Sequence, residues 1–254
     1  FLFGNGGNED PKQLAANAGK SFVGSYVLGM GFTFDDSGPA DDDTPGIPSP
    51  IATMERLIAE NPKNAEVIFP YIGGEEVNSS PTHDHHRYVI NFGERREEEC
   101  RREWPELMTI VERKVKPDRM KNNREGYRRY WWHYGEKRND LYRTIQDCKS
   151  LLANSQVSSH ICFGIVSTGQ VYGHTLYVYP SSTFDNISLL QSSIHSLWGS
   201  LQGSSLGDGG RYTAASSFET FPFPAALLDS AASDPTHEAT RHSLEAIGER
   251  YHQF

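Results

Sequence analysis

The apolar residues of this chain come in short bursts whose period switches between two and about 3.6 without ever settling into a regular alternation. That irregular order restricts the fold more than any other feature. Arg87-Tyr88-Val89-Ile90-Asn91-Phe92 alternates as a half-buried strand does, whereas Ile51, Met54, Leu57 and Ile58 recur at helical spacing until Pro62 ends the run. Repeating strand–helix–strand units would call for a parallel sheet. Their absence predicts an α+β fold, with mixed sheets and packed helices.

The remaining segments follow the same logic. Ser21 to Phe34 is β-prone and studded with glycine, which predicts one or two strands with a bulge or tight turn. Asp35 to Pro50 holds four Pro, five Asp and two Gly and reads as a loop. A strand is expected from Glu66 to Ile72, and a charged helix from about Arg95 to Val115, broken at Pro105 and stopped by Pro117. Lys137 to Leu152 reads as an amphipathic helix with Leu141, Ile145, Cys148 and Leu152 on one face. Short strands are expected within Ser159 to Ser167 and Thr175 to Tyr179. A helix follows from Ile187 to Leu201, with Leu190, Ile194, Leu197 and Trp198 in a stripe. Gly203 to Arg211 is a Gly/Ser loop, and Pro235 to Phe254 a final helix. Residues 1–20 read as a tail or linker, 21–224 as the main domain and 225–254 as a C-terminal helix.

Composition narrows the class. The chain has 254 residues, enough for a sizeable core, and no apolar run approaches the roughly 18 residues of a membrane span. Three cysteines, Cys100, Cys148 and Cys162, are too few and scattered for a disulfide framework, so a reducing cytoplasm is expected. The first residue is Phe1, which suggests a piece of something longer.

Charge is distributed unevenly. The net charge is −9, yet Arg113 to Arg143 holds eleven basic and four acidic residues, which leaves −16 for the rest of the chain. That basic stretch interleaves charge with rings in Tyr127-Arg128-Arg129-Tyr130-Trp131-Trp132-His133-Tyr134. Arginine and lysine neutralise phosphates, while aromatic bodies pack beneath or stack on sugars and bases. Lys116, Arg119, Arg128 and Arg129 are the candidate phosphate contacts. They are expected on one positive face, with Arg119, Arg128 and Arg129 at least partly exposed and Trp131 or Trp132 buried. The alternative pairs those arginines with Glu97, Glu98 and Glu99.

Other chemistry is fainter. His83-Asp84-His85-His86 could bind zinc or iron and centre a metal-dependent hydrolase. Neighbouring side chains in a loop diverge, however, and no partner motif supports them. Phe3-Gly4-Asn5-Gly6-Gly7 has no preceding strand and no following Lys-Ser/Thr, so it is no phosphate-binding loop. In the small-residue run from Gly203 to Tyr212, a lone Arg211 could make the bidentate contact to guanine.

Several phrases, taken in order, resemble one family. They are Gly29-Met30-Gly31-Phe32, Pro70-Tyr71-Ile72-Gly73-Gly74-Glu75-Glu76-Val77-Asn78, Tyr88-Val89-Ile90-Asn91-Phe92, Val115-Lys116-Pro117-Asp118-Arg119 and Tyr130-Trp131-Trp132. The set continues through Leu190-Gln191-Ser192-Ser193-Ile194-His195-Ser196-Leu197-Trp198 to Arg211-Tyr212-Thr213 and Phe221-Pro222-Phe223-Pro224. This order resembles the region after the catalytic domain in large adenine-specific DNA methyltransferases. Single-chain type II restriction-modification enzymes of the IIG and IIL kind are among them.

The resemblance implies a target-recognition domain over 21–224 that reads double-stranded DNA while a catalytic domain of the same parent chain methylates adenine. It places specificity positions at Gly207, Gly209 and Arg211, the first two being glycine where relatives often carry charge. The Asn-Pro-Pro-Tyr/Phe motif, the cofactor glycine loop and a nuclease signature are missing from this sequence. S-adenosylmethionine is therefore expected in the parent and no cofactor in this chain. A rival reading is a protein-interaction module of a phage-defence complex, its acidic surface facing a partner.

Overall fold

The computed structural model describes Leu14 and residues 17–206, 209–227 and 235–253. Its strands are β1 (Phe22–Val23), β2 (Thr33–Phe34), β3 (Ile68–Ile72), β4 (Arg87–Ile90), β5 (Ser150–Ser155) and β6 (Val157–Ser158). They continue with β7 (Gly164–Ser167), β8 (Val171–Tyr172), β9 (Leu176–Tyr179), β10 (Ser204–Leu206) and β11 (Gly209–Arg211). The helices are α1 (Ile51–Glu60), α2 (Gly74–Ser79), α3 (Glu97–Glu103), α4 (Pro105–Lys114), α5 (Lys116–Met120) and α6 (Glu125–Arg129). After them come α7 (Asn139–Ile145), α8 (Phe184–Leu190), α9 (Ser193–Gln202), α10 (Ala214–Ser217) and α11 (Pro235–His252). Mixed sheets with packed helices are the α+β architecture expected.

The strands form three sheets, in the orders β1-β9-β5-β7, β2-β4-β3-β8 and β10-β11-β6. In the first, β5 pairs antiparallel with both β7 and β9. Period-two alternation lets this sheet serve two cores at once. Leu151, Ala153, Leu176 and Val178 face Leu141 and Ile145 of α7, while Leu152, Tyr177 and Tyr179 face Ile187 and Leu190 of α8. The second sheet is covered by α1, α3 and α4 through Met54, Leu57, Cys100, Leu107, Met108 and Val111. The chains of the two sheets meet at Gly24, where an added Cβ would stand 2.2 Å from the Gly173 carbonyl oxygen, so only glycine permits the approach.

Several expected boundaries move. Leu152 lies in the central strand of a sheet, not on a helix that began at Lys137, because Ser150–Ser155 is buried between two partner strands. Tertiary pairing overrides the local helical spacing. Pro117 does not end the charged segment for good. It sits in the first turn of α5, where its missing N–H costs nothing. The single helix expected from Ile187 breaks at Ser192, whose side chain caps α9 by accepting from the His195 amide. Ile194 and Leu197 are consequently 72% and 62% exposed instead of buried in a stripe. Asn17, assigned to the tail, is buried and donates to the carbonyls of Phe218 and Phe221. Among the described residues, no helix is long and apolar enough to cross a membrane.

Candidate nucleic-acid interface

The stretch read as a loop from Gly203 is a hairpin. β11 pairs antiparallel with β10 and, on its other edge, with β6, so Arg211 lies opposite both Ser204 and Val157. The next residue fixes the strand to the core. Tyr212 is buried, its amide donates to the Gln156 carbonyl at 3.0 Å, and its ring meets Phe163 and Tyr177. Its hydroxyl lies 3.3 Å from His195 Nε2, whose Nδ1 lies 2.8 Å from the Leu190 carbonyl. A carbonyl only accepts, so Nδ1 carries the proton, and burial keeps the imidazole neutral by lowering its pKa. Nε2 therefore accepts from the tyrosine. Successive side chains on a strand point to opposite faces, and Arg211 is exposed where Tyr212 is buried.

Arg211 borders a cleft of about 600 Å³ that Tyr71, Asn78, Arg87, His174 and Thr175 also line. The floor is built by α2. Gly74 donates to Thr175 Oγ1 at 2.9 Å, and a Cβ there would lie 2.7 Å from Ser155 Oγ, so glycine lets α2 sit directly on β5. Arg87 is fully engaged. Its Nε and Nη2 donate to the two oxygens of buried Glu76 at 2.7 and 2.9 Å, and its guanidinium lies 5.0 Å from the Tyr71 ring centroid. Among the described residues, the Arg211 side chain has no hydrogen bond or ion pair. One arginine of the cleft is committed, and the other has no partner among the described residues.

Of the other two specificity positions, Gly209 lies in β11 opposite Leu206, and Gly207 falls outside the described residues. Asp208, an acid three residues before Arg211 in sequence, also falls outside them. Asn78, His174 and Thr175 carried no sequence signal as site residues. Only the fold brings positions 78, 174 and 211 together.

The basic stretch does not form one continuous positive face. Six of its eleven cations lie against carboxylates, in the pairs Arg113–Asp43, Lys116–Glu112, Lys121–Asp118, Lys137–Glu94, Arg138–Glu136 and Arg143–Asp140. Two more, Lys114 and Arg119, are buried. The expectation that Arg119 is exposed is thus overturned. It is 3% exposed, its Nη2 donates to the carbonyls of Val27 and His133 at 2.9 and 3.0 Å, and desolvation pulls its pKa down to about 10. Those inward bonds leave it unable to reach a phosphate.

Arg124, Arg128 and Arg129, all at α6, remain without a carboxylate partner among the described residues. Arg129 is exposed and lies over the Tyr130 ring, 5.5 Å from its centroid, while half-buried Arg128 donates to the Asn122 carbonyl at 2.5 Å. Lys116 is half-buried, held by Glu112 at 2.6 Å and by the Trp131 ring at 4.6 Å. Both tryptophans are buried, and Trp132 donates to the Arg95 carbonyl. Glu97 pairs with Arg101 and Glu99 with Arg95, so among the described residues the Glu97–Glu99 run makes no ion pair with Arg128 or Arg129. A hollow of about 440 Å³ opens beside α6, and its lining mixes the cations Arg95, Arg96, Arg129 and Lys137 with the carboxylates Glu94, Glu97 and Glu98.

The histidines of the 83–86 segment serve separate neighbours. His83, at φ 55°, packs its ring against Gly164; His85 meets Tyr88 edge-on; His86 Nδ1 lies 3.4 Å from Glu76. Among the described residues, no group of three His, Cys, Asp or Glu is placed to hold a metal ion.

The sequence model of the MmeI target recognition domain family matches residues 50–225. One solved structure with a similar fold, described as the Type IIL restriction-modification enzyme MmeI in complex with DNA, superposes with a TM-score of 0.66 at 18% identity. The match covers 96% of this chain and 30% of that one, so the chain spans less than a third of the enzyme's length. No curated protein sequence matches the chain.

Proposed function

Since the chain belongs to the MmeI target recognition domain family, we propose that it reads a DNA sequence for an adenine-methylating restriction-modification enzyme. The observation that carries this reading is Arg211, an exposed residue at the edge of a cleft whose guanidinium has no partner among the described residues. An arginine fork matches the O6 and N7 acceptors of guanine in the major groove. A strand anchored through Tyr212 holds its base while leaving its head free. Gly209, two residues earlier on β11, adds no side-chain bulk.

Arg128 and Arg129 are assigned to DNA phosphates, which position a protein on the duplex without reading sequence. Lys116 would first have to leave Glu112, so its share is smaller. The sequence holds no Asn-Pro-Pro motif. Adenine methylation and S-adenosylmethionine are therefore assigned to a catalytic domain in the rest of the parent chain, working in the cytoplasm where the DNA is.

Methylation by the parent enzyme across a library of single-base variants of its site tests the reading. Arg211→Ala should cost about 1–3 kcal/mol at one base pair and relax selectivity there alone. Equal loss at every variant, together with a lower melting temperature, would make Arg211 a structural pin.

A further inference from the structure

Arg119 faces inward, yet three of its contacts converge on the segment that carries Arg128 and Arg129. We propose that Arg119 is a positioning residue that holds α6 in place, and with it Arg128 and Arg129. This rests on the phosphate reading of those two side chains.

The helix needs such a support. It is five residues long, has no side-chain N-cap and contains no buried residue. A helix this short does not persist in water on its own. Arg119 supplies contacts within α6 and just beyond its end. Its guanidinium lies 5.5 Å from the centroid of the Tyr127 ring, inside α6, and 5.9 Å from that of Phe32, in the core. Its Nη2 ties His133, four residues past the helix end, to Val27, which lies 92 residues away from Arg119 in sequence. A third link runs through the backbone: the Asn122 amide donates to the Arg119 carbonyl, and the Asn122 carbonyl receives Arg128.

The cost of this arrangement is visible. Arg119 Nε and Nη1 are buried without a hydrogen-bond partner. A residue kept only for stability would be better replaced by an apolar chain of similar shape. A flat guanidinium can bridge two carbonyls edge-on and meet rings with its faces, which a lysine ammonium cannot do.

Arg119→Met removes the donors and keeps the apolar stem, and the full chain is read in two ways. Hydrogen exchange at the amides of Tyr127, Arg128 and Tyr130 should quicken by about tenfold or more, with the amides of Leu151 and Ala153 unchanged. Binding to a random-sequence duplex is then followed against salt in a double-mutant cycle with Arg128→Ala/Arg129→Ala. Arg119→Met should flatten the salt dependence by up to ~2 when both arginines are present and have no effect when both are absent. Unchanged exchange at α6, or an equal salt effect in both backgrounds, overturns the positioning role. If Arg128→Ala/Arg129→Ala leaves the salt dependence unaltered, the phosphate reading fails. Exchange at α6 then decides by itself whether Arg119 holds the helix.

Discussion

The β10–β11 hairpin and the Arg113–Arg143 segment both put arginine at the surface, but by opposite means. The hairpin offers one side chain, and the residue beside it is bolted into the core through His195, Phe163 and Tyr177. The segment offers eleven cations, of which six are matched by carboxylates and two are buried. Local charge density in a sequence is therefore a poor guide to the field a partner meets. A lone, positioned guanidinium with no partner among the described residues is suited to a directional contact, whereas a dense cluster neutralises most of itself. The cleft repeats the lesson at smaller scale, since Arg87 is spent on Glu76 while Arg211 is not.

The sharpest break of that comparison falls between adjacent residues. Tyr212→Ala should cost about 3–5 kcal/mol in urea unfolding, because it empties a buried aromatic site. Arg211→Ala should stay within about 0.5 kcal/mol of the parent. Similar losses for both would mean that Arg211 also holds the fold. Next in size is Arg129→Ala, which should weaken binding equally on every DNA sequence and flatten the salt dependence by roughly one. A loss confined to one sequence would move Arg129 from the backbone to a base.

The smallest effect belongs to Glu112, whose carboxyl is held down to about 2 by hydrogen bonds from Arg101 and then Lys116. A depressed carboxyl adds stability above its ordinary value of 4.5 and loses it as pH falls toward 2. Because the pair is at the surface, Glu112→Gln should cost less than about 1 kcal/mol at neutral pH, and the difference should vanish in an acid titration. Releasing Lys116 should also steepen the salt dependence, by at most about one. An unchanged slope would show that Trp131 alone keeps Lys116 from DNA.

Local patterns were the legible part of this fold. Helix α1 matches the Ile51–Glu60 spacing, β4 follows the Arg87 alternation, and Pro105 divides the charged helix into α3 and α4. What depended on distant partners was hidden. Ser150–Ser155 becomes a strand because β7 and β9 flank it, and Gly203–Arg211 becomes a hairpin because β6 supplies an edge. The same holds for the site. Arg211 was visible as an isolated cation among small residues, but Asn78 and His174 reach its cleft only through sheet topology. The burial of Arg119 is not legible in the sequence, which carries its charge and not the two carbonyls that hold it inward.

The division of labour between reading and holding is tested most directly by binding to two duplexes, the enzyme's own site and a random sequence, across a range of salt. Arg211→Ala should lose about 1–3 kcal/mol on the site alone, with little change on random DNA and little change in salt dependence. Equal weakening on both duplexes, accompanied by a flatter salt dependence, would make Arg211 one more phosphate contact and contradict the account.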